Sequence, residues 1–86
     1  MDYKIAYKSS VARDLKLIGK AQAGRLITKI EKELPTKALS CPMLKGLYAG
    51  LRKFRIGDYR VIFSVMLGQI LVLRIAHRKE VHRSKI

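Results

Sequence analysis

Tyr3, Ile5 and Tyr7 alternate with Asp2, Lys4 and Ala6, the period of a strand with one buried face. From Ser9 the period lengthens. Val11, Leu15 and Ile18 recur at helical spacing, with Ser9 or Ser10 as cap, Asp14 near the positive end and Gly19 as the stop. A second stripe, Ala23, Leu26, Ile27, Ile30 and Leu34, predicts a helix from about Ala21 to Leu34 that Pro35 ends. So short a connection predicts an antiparallel helical hairpin. Pro35 to Gly50 carries Pro42, Gly46 and Gly50, has no period and reads as a loop. The β-branched and aromatic content then predicts strands over about Leu51–Ile56, Tyr59–Met66 and Ile70–Ala76.

The order is strand, helix, helix, then three strands in an antiparallel meander. It predicts a two-layer α+β fold, with one face of an antiparallel sheet packed on the helical hairpin. With 86 residues, 49% of them hydrophobic, the chain has apolar material for one core, and a single domain over 1–86 is expected.

Residues Leu51 to Arg60, Leu-Arg-Lys-Phe-Arg-Ile-Gly-Asp-Tyr-Arg, carry the most informative pattern. A two-residue turn at Gly57-Asp58 sets Ile56 opposite Tyr59, Arg55 opposite Arg60, Phe54 opposite Val61 and Lys53 opposite Ile62. Opposed residues share a sheet face, and so do alternate ones. Lys53, Arg55 and Arg60 therefore emerge together on the face away from the helices. Arg52 and Arg74 fall on the core side, their stems lying along the sheet edge. A second two-residue turn at Leu67-Gly68 would put Ile75 opposite Arg60 and bring Arg78 and the residues after it beside the cluster.

Nineteen Lys and Arg against six Asp and Glu give a formal charge of +13, which attracts nucleic acid, an acidic protein or an anionic membrane. The membrane reading fails on length, since no apolar run approaches the ~18–20 residues needed to span a bilayer. Met1-Asp2-Tyr3-Lys4 leads into alternation, not an apolar stretch, so no signal peptide is expected. The single cysteine, Cys41, fits a reducing compartment, and a cytoplasmic location is expected. The six acids have no metal-site or paired-carboxylate spacing, and there is no glycine-rich phosphate loop or nucleophile elbow. No metal and no cofactor are expected. Cations, histidine and tyrosine remain, a set that suits RNA transesterification. Guanidinium and ammonium groups stabilise charge on the phosphate, and a histidine such as His82 moves protons. On the residues alone, binding of RNA or an acidic protein without catalysis accounts for the cluster equally well. His77, at a strand end, reads as a structural hydrogen-bonding residue.

Three stretches carry a family resemblance: Leu44-Lys45-Gly46-Leu47, Arg55-Ile56-Gly57-Asp58-Tyr59-Arg60-Val61-Ile62-Phe63 and His77-Arg78-Lys79-Glu80-Val81-His82. Together with the element order they resemble the RelE/ParE toxin superfamily of toxin–antitoxin systems. The resemblance implies a RelE-like fold and a metal-independent endoribonuclease that cuts mRNA in the ribosomal A site by 2′-hydroxyl attack, inhibiting translation. It implies that Lys53, Arg55, Arg60 and Arg78 bind phosphate and stabilise the transition state. His82 stands where the best-known RelE branch carries a proton-transferring tyrosine. The implied partners are mRNA, the ribosome and a cognate antitoxin, expected to present an acidic segment. ParE-type members of the same superfamily inhibit DNA gyrase instead. That activity and a non-catalytic RNA-binding module are the alternatives.

Overall fold

In the computed structural model, which describes residues 3–46 and 49–77, the N-terminal alternation forms strand β1 (Lys4–Tyr7). Helices α1 (Ser9–Ile18) and α2 (Lys20–Lys37) follow, then a 3-10 turn (Ala38–Ser40). Strands β2 (Arg52–Ile56), β3 (Tyr59–Met66) and β4 (Gln69–His77) complete the order. The α+β expectation holds, with one correction. The meander is antiparallel, but β1 joins it parallel to β4, giving a mixed sheet in the order β1-β4-β3-β2. The crossover through two helices returns the chain in the direction in which it left, as a parallel connection requires.

One face of the sheet is buried under the helices. Val61, Phe63, Ile70, Val72 and Ile75 meet Val11, Leu26, Ile30 and Leu34, and Tyr3, Ile5, Tyr7, Phe54 and Tyr59 pack around them. The Tyr7 hydroxyl donates to Glu31 at 3.0 Å, fastening β1 to α2; burial and then the carboxylate push its pKa up, so it remains a donor.

Three local expectations are revised. Ser9 and Ser10 do not cap α1, whose N-cap is Lys8. Instead the Ser10 hydroxyl donates to the Leu73 carbonyl at 2.6 Å. Pro35 does not end α2 but sits inside its final turns, where its missing N–H removes one bond near an end that is already short of partners. Hydroxyls of Thr36 and Ser40 donate to the carbonyls of Glu33 and Lys37 there. Cys41 is buried with the core, and burial pushes its thiol pKa up.

The last of these revisions concerns β4. The turn at Leu67-Gly68 forms as expected, with positive φ at both residues (52° and 75°). That is the pattern of a type I′ turn, which favours Asn-Gly, and a leucine there is strained by about 1 kcal/mol or more. The register then shifts between Ile62 and Phe63: Phe63 pairs with Val72 but Ile62 with Arg74, leaving Leu73 as a bulge. Ala76, not Ile75, lies opposite Arg60, and Ile75 turns to the core. Arg74, expected on the core side, lies opposite Ile62 and pairs with Asp14 of α1.

The cause lies outside the strand. Pairing with β1 stops at Tyr7–Val72, and α1 takes over the open edge of β4. Asp14 accepts from Arg74 Nε at 3.0 Å, from a second guanidinium nitrogen at 3.1 Å and from the Ile75 amide at 2.9 Å. With Ser10 on Leu73, the helix holds both sides of the bulge.

Candidate functional site

The Gly57-Asp58 turn closes the hairpin in the expected register, with Arg52 opposite Phe63, Lys53 opposite Ile62, Phe54 opposite Val61, Arg55 opposite Arg60 and Ile56 opposite Tyr59. Gly57 has φ +57° and Asp58 does not have positive φ, the pattern of a type II′ turn with glycine first. Register and core contacts together put Lys53, Arg55 and Arg60 on the face away from the helices.

The bulge completes two rows across that face. One runs Arg55, Arg60, Ala76; the other runs Lys53, Ile62, Arg74. Ile62 and Ala76 are 1% and 5% exposed although they lie opposite the main core. They form a dry apolar floor between the cations. Arg55 and Arg60 face each other directly, a like-charge pair that costs stability in a sheet. Arg60 Nε is buried without a hydrogen-bond partner, and no salt bridge to Lys53, Arg55 or Arg60 occurs among the described residues. Like charges gathered on one face over apolar side chains attract an anion.

At the outer edge of β2 the chain before it folds back. Lys53 N donates to Pro42 O at 3.1 Å, Leu44 N to Leu51 O at 2.8 Å, and Met43 bridges Arg52. Arg52 lies on the core side as expected, and its guanidinium donates to the carbonyls of Leu39 at 3.2 Å and Cys41 at 2.8 Å. This clamp forms a cleft of about 440 Å³ lined by Lys37, Ser40, Cys41, Pro42, Lys53, Phe54 and Arg55. The cleft was not legible in the sequence, because Lys37, at the end of α2, and Ser40, in the 3-10 turn after it, both fall in the stretch read as a loop.

His77 lies opposite Tyr59, on the side away from the cations, and meets that ring edge-on at 5.5 Å. Arg78 and His82, the two remaining site residues expected from the sequence, lie outside the described residues. No group of three His, Cys, Asp or Glu side chains suited to a metal ion occurs among the described residues. None of the described helices is long and apolar enough to cross a membrane.

Two helices on a four-stranded mixed sheet, with a cationic outer face, define the RelE-like toxin fold. The toxin–antitoxin complex RelBE2 of Mycobacterium tuberculosis matches with a TM-score of 0.81 at 21% identity, over 91% of this chain and 100% of that one. YafQ of E. coli matches with a TM-score of 0.65 at 20% identity, over 92% and 97% of the two chains. The chromosomal ParDE toxin–antitoxin system of P. aeruginosa matches with a TM-score of 0.66 at 20% identity, over 87% and 95%. At such identities the likeness is one of fold. No curated protein matches the chain by sequence. The model of the family described as ParE toxin of type II toxin–antitoxin system, parDE, matches residues 5–82, and the chain belongs to that family. It is thus a toxin of a toxin–antitoxin system, within the RelE/ParE superfamily.

Proposed function

We propose that this toxin is a metal-independent endoribonuclease that cuts mRNA in the ribosomal A site. The observation that carries the reading is Arg55 set directly opposite Arg60, with Lys53 beside them and no carboxylate paired with any of the three among the described residues. A surface that only had to be soluble would not stack like charges across a hairpin; one that binds a phosphodiester gains from doing so.

The reaction follows from the groups available. The ribose 2′-oxygen attacks the adjacent phosphorus as its proton passes to a base. The P–O5′ bond breaks, and O5′ takes up a proton. The products are a 2′,3′-cyclic phosphate and a 5′-hydroxyl. Arg60 grips the non-bridging oxygens, and Lys53 and Arg55 supply field and position. In this reading Arg78 joins the phosphate grip and His82 moves the protons. The solved RelBE2 and DinJ-YafQ structures are toxin–antitoxin complexes. By extension, a cognate antitoxin with an acidic segment masks this cationic face and leaves the toxin inactive until released.

Membership of the ParE family favours a second reading, inhibition of DNA gyrase. One experiment separates the two. Purified toxin is added to a translation extract carrying a reporter mRNA and, separately, to a gyrase supercoiling assay. Cuts mapped by primer extension at defined codon positions, only during translation, are the expected result. Intact RNA with supercoiling blocked would replace the ribonuclease reading by the gyrase one.

A further inference from the structure

The cleft at the outer edge of β2 has an apolar wall, a cationic rim and no assigned task. Phe54 and Pro42 contribute apolar surface, and Lys37, Lys53 and Arg55 line the same cleft. Its volume of about 440 Å³ is within the ~300–1,000 Å³ typical of small-ligand sites. Apolar faces bordered by cations match the chemistry of one nucleotide, whose base and sugar pack and whose phosphate takes the charge. Lys53 and Arg55 belong both to this cleft and to the cluster around Arg60, so the two surfaces are continuous.

Lys37 is the part that can be spared for a ligand. Its ammonium lies 2.9 Å from Glu33, which also pairs with Lys29 at 3.4 Å on the other side. If Lys37 turns to a phosphate, Glu33 keeps Lys29. The hydroxyl of Ser40, next in the wall, now donates to the Lys37 carbonyl at 2.8 Å and keeps its acceptor lone pairs free for a ligand donor. We infer that this cleft is a nucleotide subsite, holding the RNA nucleotide next to the phosphate gripped at Arg60, with Lys37 on that nucleotide's own phosphate. The inference rests on the ribonuclease reading and adds to it a direction: RNA runs from the outer sheet face around the edge of β2 towards the 3-10 turn.

Lys29→Ala is the built-in control, because it removes the same charge and the same kind of contact to Glu33 but lies outside the cleft. The probe is a trinucleotide RNA with a 2′-deoxy sugar at the reacting position, and the same RNA shortened by one nucleotide at either end. Titrations of the wild type, Lys37→Ala and Lys29→Ala are followed by backbone amide NMR. The trinucleotide is expected to shift resonances at Arg55 and Arg60 and also at Lys37, Ser40 and Cys41. Removal of one particular end nucleotide should erase only the second set. Lys37→Ala should weaken trinucleotide binding by about tenfold and the matching shortened RNA hardly at all, whereas Lys29→Ala should leave both nearly unchanged. Shifts at Arg60 without shifts at the cleft would overturn the subsite, as would equal losses in both variants or a Lys37→Ala loss independent of length. No shift at Arg60 would overturn the subsite as well, and the ribonuclease reading would then stand or fall on the translation-extract assay alone.

Discussion

Arg60→Ala is expected to abolish growth arrest and to slow RNA cleavage by about 10²–10³-fold, the usual cost of removing one preorganised donor to a developing oxyanion. The folded chain should be no less stable for the change. In the free toxin Arg60 opposes Arg55 across the hairpin and buries an Nε that nothing accepts from, so its removal relieves two unfavourable features. Loss of its stem over Ile62 and Ala76 works in the opposite direction. The net expectation is a melting temperature within a few degrees of the wild type. Arg60→Lys sharpens the test: it keeps the charge and loses the planar fork, so RNA should still bind while the rate stays low. A lysine variant that cleaves at the wild-type rate would reduce the residue to a point charge. Melting well below the wild type would mean that Arg60 has a structural partner after all.

The second large effect is on stability. Asp14→Ala removes a buried carboxylate that accepts three hydrogen bonds, two from Arg74 and one from the Ile75 amide. Breaking a buried pair from one side costs about 3–5 kcal/mol, a large share of the ~5–15 kcal/mol that holds a domain folded. Urea denaturation should show the loss as a lower midpoint with a similar slope. Asp14→Asn should be milder, since an amide oxygen can still accept from Ile75. A loss under about 1 kcal/mol for the alanine variant would show that the bulge in β4 does not depend on α1. Because that bulge puts Ala76 beside Arg60, the variant should also blunt activity at temperatures where it remains folded.

These two residues also mark how far the sequence could be read. The cluster at Lys53, Arg55 and Arg60 was legible because a two-residue turn fixes register locally. Once Gly57-Asp58 closes the hairpin, parity follows along both strands. The last strand was not legible by the same rule. Its first pairs obey the turn at Leu67-Gly68, but Ser10 and Asp14, some sixty residues away in sequence, hold an extra residue at Leu73. Nothing near Leu73 announces it. Asp14 looked like a helix-terminus charge because its sequence neighbours are helical, and its partner Arg74 can be found only through the sheet. Pro35 misled for a related reason: proline is a stop in mid-helix, but near a C-terminus the lost bond is minor and side-chain hydroxyls close the remaining turns. The parallel placement of β1 was likewise hidden, since alternation reports a buried face and not a direction.

Cations on this sheet face are proposed to carry a 2′-hydroxyl transesterification, a reaction that leaves its own signature on the RNA. The most direct test is the chemistry of the cut ends. RNA cleaved by the toxin in a translation extract is recovered, and its new termini are identified by enzymatic end-labelling and mass spectrometry. The expected ends are a 5′-hydroxyl opposite a 2′,3′-cyclic phosphate, with no cut where the upstream ribose carries a 2′-deoxy substitution. Ends bearing a 5′-phosphate and a 3′-hydroxyl, or cleavage that ignores the 2′-deoxy substitution, would contradict that chemistry.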